Sequence, residues 1–223
     1  MIITKQAFPS LFRARPWQML GATLVLLAGL LSGAGTVRAE IQAPDALIGE
    51  VSEIVLTRIK GDPKIQAGDF SRISDLVNET IMPHVNFERM TALAVGRGWR
   101  QATPEQRTEL TKEFRVLLLR TYSGAMSQLK DETVKMRPLR ASPDDDEVIV
   151  RSDIVGRNEP IQLNYRMEKH ADGWKIFDIN VLGVWLIETY RNQFKQIVNR
   201  DGIEGLVTTL RDKNEQFAAA AKS

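Results

Sequence analysis

The stretch 161–181, IQLNYRMEKHADGWKIFDINV, decides the fold. Ile161, Leu163, Tyr165 and Met167 alternate with Gln162, Asn164, Arg166 and Glu168. A period of two marks a strand with one apolar and one wet face. His170-Ala171-Asp172-Gly173 has hairpin-turn chemistry, and the chain returns through Trp174 to Val181. Strict alternation sets Asp178 opposite Phe177 and Ile179, alongside Trp174 and Ile176. Upstream, Glu147 to Val155 is a further strand behind the polar turn Ser142-Pro143-Asp144-Asp145-Asp146. Before that turn, Val134 and Met136 alternate with Lys135 and Arg137. Four strands joined by short turns make an antiparallel sheet with one face wet and one covered.

Helices supply the cover. Leu47, Ile48, Val51, Ile54, Val55 and Ile59 recur at helical spacing, and Phe70, Ile73, Val77 and Ile81 repeat it until Pro83. Asn86 caps a short helix through Met90 and Leu93, stopped by Gly96 and Gly98. Thr103-Pro104-Glu105-Gln106 is a capping box with proline at the first helical position. The helix it opens runs to about Lys130, with Leu110, Phe114, Leu117, Leu118, Tyr122, Met126 and Leu129 on a wide apolar face. After the sheet, Leu186, Ile187, Tyr190, Phe194 and Ile197 make another such face. Asp201 with Glu204 caps a final helix through Leu206, Leu210 and Phe217. Helices, a four-stranded meander and helices again read as α+β, with the helices packed on one face of a curled sheet.

The first 39 residues have the layout of a cleavable export signal. Lys5, Arg13 and Arg15 form a basic start, Met19 to Leu31 is apolar, and Val37-Arg38-Ala39 offers small or β-branched groups to a peptidase. About 13 apolar residues fall short of the ~20 that span a bilayer. Cleavage after Ala39 leaves a single domain over 40–217 and a flexible Ala-Lys-rich tail over 218–223. The chain has no cysteine, which excludes lipoprotein anchoring and leaves packing alone to hold the fold. The signal also carries away Lys5, Arg13, Arg15 and Arg38. The rest then holds 26 basic against 28 acidic side chains, a formal charge of −2, so the basic excess belongs to the leader. Such a balance lacks the concentrated positive surface that nucleic acid requires.

Groups that transfer protons, attack or bind metal are sparse. There is no thiol, nucleophile elbow, phosphate loop or dinucleotide loop. His84 follows a helix-ending proline and His170 sits in a hairpin turn, which suits structural or solvated roles. The run Asp144-Asp145-Asp146-Glu147 lacks the alternating spacing of a calcium loop and reads as a solvated turn. An isomerase-like enzyme would need one carboxylate tuned by burial in an apolar pocket, and Asp178 and Asp153 are the candidates. Against this, Leu118, Tyr122 and Met126 on the long helix face Leu163, Tyr165, Met167, Ile179 and Val181 on the sheet. That much apolar bulk either fills a core or lines a pocket, and periodicity is the same for both.

Several segments in register carry a resemblance. They are Pro83-His84-Val85-Asn86-Phe87-Glu88-Arg89-Met90, Trp99-Arg100, Thr103-Pro104-Glu105-Gln106-Arg107, Phe114-Arg115 and Arg120-Thr121-Tyr122. With them go Gly173-Trp174-Lys175, Phe177-Asp178, Tyr190-Arg191, Gln193-Phe194, Asp201-Gly202-Ile203-Glu204-Gly205-Leu206 and Lys213-Asn214. In this order they resemble the MlaC family of toluene-tolerance auxiliary proteins, from about Ile41 to Phe217. The resemblance implies a soluble periplasmic phospholipid carrier without catalytic residues or cofactor, whose cargo sits in an apolar pocket between helices and sheet. Its implied partners are an outer-membrane lipoprotein–porin complex and an inner-membrane ABC transporter with a lipid-binding ring, a system that maintains outer-membrane lipid asymmetry. Leu118, Tyr122, Met126, Leu163, Tyr165, Ile179, Val181 and Trp185 are the expected lipid-binding residues, and contact with tails alone predicts broad headgroup tolerance. Three positions in two segments depart from the family pattern. Asn86 replaces an aspartate, one helix cap for another. In Val184-Trp185-Leu186-Ile187-Glu188-Thr189, Trp185 and Thr189 stand where serine and asparagine are expected, and a Trp there either lines the pocket or plugs it. A module that binds peptides or partner proteins remains the alternative reading, followed by the isomerase-like enzyme.

Overall fold

A computed structural model describes residues 41–220 apart from Pro143. The expected export signal lies outside the described residues, as does the end of the tail. Helix α1 (Pro44–Gly61) starts on a proline and leads through a single turn, α2 (Pro63–Gln66), into α3 (Phe70–Leu76). Asp62 and Asp69 cap the latter two by accepting backbone N–H bonds, from Lys64 and from Ser71 and Arg72. The segment read as one helix to Ile81 widens into a π-turn at Val77–Ile81 and tightens into a 3-10 turn at Met82–His84. Pro83 lies in that turn. Helix α4 (Phe87–Val95) is capped by Asn86, whose Oδ1 accepts from the Arg89 N–H at 3.0 Å.

The capping box at Thr103 forms as the sequence dictates. Gln106 N–H donates to the threonine hydroxyl at 3.2 Å, and Thr103 N–H donates to the Gln106 side chain at 3.1 Å. Helix α5 (Pro104–Ser127) stops short of Lys130 because its last turn tightens. Gln128 bonds back to Ala125 and Leu129 to Met126, at 3.3 Å each.

Among the described residues the sheet has five strands in sequence order, not four, and neighbouring strands pair antiparallel. They are β1 (Thr133–Met136), β2 (Glu147–Val155), β3 (Ile161–His170), β4 (Gly173–Val181) and β5 (Val184–Trp185). The added strand is two residues long, too short to show a period. It follows a tight turn in which Leu182 (φ 52°) and Gly183 (φ 89°) are both left-handed.

Register is regular except in β4. Arg166 faces Asp178 while Met167 faces Ile176, so Phe177 is an extra residue, a bulge. Trp174 and Ile176 therefore point to the same side as Ile179 and Val181, toward the helices. Asp178 does not, which corrects the strict alternation expected from sequence.

The last helix, α6 (Leu186–Ala220), continues into the segment read as a tail and bends at Gly202 (φ 70°, ψ −170°). Asp201 does not cap the second half. Its carboxylate is held by the Arg200 guanidinium at 2.7 Å, while Glu204 accepts from Gln106 at 3.2 Å. Three packed clusters result. Phe114 sits among Phe87, Tyr190 and Phe194 where α4, α5 and α6 meet. Leu47 and Ile48 of α1 lie against Val150, Met167 and Ile176 of the sheet. Ile59, Ile65, Ile73 and Leu76 close the corner of α1, α2 and α3. Helix α4 is tied to the sheet through Asn86, whose backbone N–H bonds to the Ile176 carbonyl at 2.8 Å.

Candidate functional site: an apolar cavity between helices and sheet

Between these clusters lies a cavity of about 340 Å³. Val51, Ser52, Val55 and Leu56 of α1 form one side, and Val77, Ile81, Met82 and Val85 of the irregular turns form the next. Phe87 and Met90 come from α4. From α5 come Arg115, Leu118, Leu119, Tyr122, Ala125, Met126 and Leu129. The sheet adds Val134, Ile154, Ile161, Leu163, Tyr165, Ile176, Ile179 and Val181, and Leu186 opens α6. Leu56, Phe87, Met90, Tyr165, Ile176 and Leu186 are the buried residues of the lining. The rest of the lining is half-buried and Ala125 is exposed, so the hollow has a rim open to solvent. Beyond the rim, Leu182 and Val184 stand 63% and 54% exposed, so apolar surface continues outward from the opening.

Polar groups in the wall are few. Burial pushes the Tyr122 and Tyr165 phenols above their ordinary range, and the nearby Ser152 and Ser52 hydroxyls pull Tyr165 the other way. Arg115 is the single charged side chain of the lining, and its Nη2 donates to Asn78 Oδ1 at 2.5 Å. Such a wall solvates methylene groups and offers a headgroup few partners.

Seven of the eight residues expected from sequence line this cavity: Leu118, Tyr122, Met126, Leu163, Tyr165, Ile179 and Val181. Trp185 does not, so it neither lines nor plugs the hollow. It pairs with Asn180, and directly opposed residues share a face; Asn180 points away from the helices, between Ile179 and Val181. The indole lies instead under the Arg166 guanidinium, 3.9 Å from its carbon to the ring centre. The neighbouring Leu186 reaches the cavity. The α1 residues were visible as an apolar helix face but gave no sign of which neighbour they meet. Ile54, expected on that face, is exposed.

Both candidate carboxylates are engaged elsewhere. Asp178 is 0% exposed, and burial drives its carboxyl above the usual range against the Ile187 N–H and the Arg166 charge. Its Oδ1 accepts from Ile179 and Ile187 at 2.9 and 3.1 Å, and Oδ2 accepts from Arg166 at 2.9 Å. It thus fastens the start of α6 and an arginine on the sheet face opposite the cavity. Asp153, on that same face, takes a two-pronged bond from Arg137 at 2.7 and 2.9 Å. His84 and His170 also lie outside the lining; burial lowers His84, and His170 sits 3.2 Å from Glu168. No group of three or more potential metal ligands occurs among the described residues, and no helix among them is long and apolar enough to cross a membrane.

The departure at Asn86 has a structural account. While Asn86 Oδ1 caps α4, its Nδ2 donates to Glu168 Oε1 at 2.8 Å, which an aspartate cannot do. The same Glu168 pairs with Arg89, whose other prong reaches Glu147 at 2.6 Å.

Known proteins are similar to this chain. The family described as MlaC protein matches residues 49–212. A phospholipid-binding protein from Ralstonia solanacearum, solved in complex with a phospholipid, is 43% identical with a TM-score of 0.77, over 79% of this chain and 99% of that one. The intermembrane phospholipid transport system binding protein MlaC of Haemophilus influenzae is 24% identical over 179 residues, 78% of this chain and 80% of its own. The toluene tolerance protein ttg2D of Pseudomonas putida is 22% identical over 163 residues, 72% of this chain and 75% of its own.

Proposed function

This chain belongs to the MlaC family, and we propose that it is a periplasmic phospholipid carrier that holds acyl chains in the cavity between α1, α5 and the sheet. The observation that carries the reading is the wall itself, apolar nearly throughout. The phospholipid bound by the Ralstonia solanacearum protein supports it.

The physics sets the need for such a wall. Each methylene exposed to water costs about 0.8 kcal/mol, so a two-chain lipid with roughly thirty of them faces on the order of 20 kcal/mol when it leaves a bilayer. Enclosing the tails offsets most of that cost, and the headgroup stays in water at the rim. Leu118, Tyr122, Met126, Leu163, Tyr165, Ile179 and Val181 are the tail contacts, and Leu186 replaces Trp185 among them. The partners in this reading are an outer-membrane lipoprotein–porin complex and an inner-membrane ABC transporter with a lipid-binding ring. The leader up to Ala39 delivers the chain to the space between them and is removed there.

Native mass spectrometry of protein purified without detergent, with lipid extraction alongside, tests the reading. One phospholipid per chain, of mixed headgroups, is the expected result. A mass without lipid that persists after incubation with liposomes would overturn it.

A further inference from the structure

A second hollow, of about 520 Å³, lies behind the first. It is a groove along the N-terminal half of α5, and its apolar base is Met82, Phe87 and Trp99. The helical repeat brings Arg107 and Arg115 onto one line of α5, with Lys112 on the adjoining line. Glu88 is the one carboxylate of the lining. Three cations against one anion make this groove locally positive, although the domain without its leader carries a formal charge of −2.

The two arginines are held by neutral oxygens. Arg107 Nε donates to the Trp99 carbonyl at 3.1 Å, with its guanidinium 5.5 Å from the centre of that indole. Arg115 donates to the Asn78 amide oxygen. Neither makes an ion pair among the described residues. Lys112 has only long contacts, 3.5 Å to Glu109 and 3.6 Å to Glu113.

We propose that this groove docks an acidic segment of a protein partner, and that docking is coupled to the cargo through the wall the two hollows share. Arg107 and Arg115 stand eight residues apart on the helix, about 12 Å. That span exceeds the reach of a single phosphate and matches two carboxylates two turns apart on a partner helix. The groove is concave with an apolar base, a shape that receives an amphipathic segment and that a flat lipid surface cannot enter. An aromatic ring beside unpaired arginines is also the composition of strong docking sites.

Met82, Phe87 and Arg115 line both hollows. A segment that draws the Arg115 guanidinium toward its own carboxylates therefore moves the stem that closes the cargo cavity. By linkage, cargo must alter the affinity for the segment by the factor that the segment alters the affinity for cargo. This coupling rests on the carrier reading; the docking site does not.

The test uses the purified chain and a fluorescent helical peptide of about 14 residues, some 21 Å long, with leucine on one face and glutamate on its flanks. Saturable binding by anisotropy is expected. It should weaken at least about tenfold in Arg107→Glu/Lys112→Glu and as salt rises from about 0.05 to about 0.3 M. The milder Arg107→Gln/Lys112→Gln keeps the test open if the reversal disturbs folding. Both variants should retain bound lipid, because neither side chain touches the cargo cavity. Lipid-loaded and delipidated protein should differ in peptide affinity.

Peptide binding unaffected by both variants would overturn the docking site. So would phosphatidylglycerol vesicles that bind through the same residues, or displacement of the peptide by inorganic phosphate at concentrations where chloride has no effect. Equal affinity of loaded and empty protein would overturn the coupling. A chain that carries no lipid but still binds the peptide through Arg107 and Lys112 would refute the carrier reading and leave the docking site standing.

Discussion

Replacing Leu163 by aspartate should abolish lipid binding while leaving the protein folded. Leu163 projects from the middle of the sheet into the cavity, opposite Val181 on one side and Ser152 on the other. Its loss removes the transfer energy of a leucine against a tail, about 1.5–3 kcal/mol. A bound tail would also strip water from the new carboxylate, at a cost of several kcal/mol. The sum is at least about 4 kcal/mol, or roughly a thousandfold in affinity.

Stability should respond far less, because the carboxylate of the empty protein stays hydrated through the open rim. A loss of about 1–2 kcal/mol would lower Tm by several degrees in a domain of this size. The assay is lipid occupancy by native mass spectrometry beside a thermal melt. Leu163→Ala should keep part of the binding, and acidification, which neutralises the introduced carboxyl, should restore part of it in Leu163→Asp. Met126→Asp repeats the experiment from the helical wall. A folded Leu163→Asp protein with undiminished occupancy would refute the tail-binding wall on the sheet side.

Trp185→Ser should leave lipid occupancy unchanged and lower stability by about 1 kcal/mol, the worth of a partly exposed cation–π stack and its packing; a marked change in occupancy would place the indole in the cargo path. Asn86→Asp keeps the helix cap but sets a carboxylate against Glu168, so urea denaturation should report a loss of about 1–3 kcal/mol. Burial alone would raise the Glu168 carboxyl, but the His170 ring beside it and hydrogen bonds from Asn86 and Arg89 outweigh it and hold the group below its ordinary 4.5. Its contribution is therefore complete above pH 4.5 and fades as pH falls through the lower folded value. Glu168→Gln should be less stable at neutral pH and show a flatter decline on acidification, which melts from pH 7 down to about 3 would measure. A slope equal to that of the parent would rule the cluster out as an acid-sensitive clasp.

Much of this was legible in the chain. The alternation of Ile161 to Met167 and the Ala171-Asp172 turn place β3 and β4 because side-chain period and turn chemistry are local. The Thr103 box marks the start of α5 for the same reason. Seven cavity residues could be named because long apolar faces on α5 and the sheet must meet. What they enclose was not legible, since a filled core and a hollow impose the same periodicity. The π-turn at Val77–Ile81 also escaped, and it brings Val77 and Ile81 to the cavity and Asn78 to Arg115. Trp185 was misplaced because its facing depends on β5, a strand too short to announce itself. The capping role of Asp178 spans nine residues and a reversal of the chain, beyond any local signal.

The bulge at Phe177 shows how much hangs on one residue of register. With strict alternation from Ile179, the inward positions of β4 would be Lys175 and Phe177, and Trp174 and Ile176 would face away from the helices. Strict alternation from Ile176 instead would turn Asp178 toward the helices, among the residues of the cavity wall. The extra residue returns Trp174 and Ile176 to the inner face, so the wall from Ile176 to Val181 is apolar throughout. It also places Phe177 on the outer face, where the Arg89 guanidinium covers it at 3.8 Å. Asp178 remains outside to receive Arg166 and the first turn of α6. A carboxylate with a raised pKa at the bottom of a hollow is the layout of a proton-transfer enzyme. The same carboxylate one face removed is a structural clasp behind an inert wall, and an inert wall is what a cargo that must be released unchanged requires.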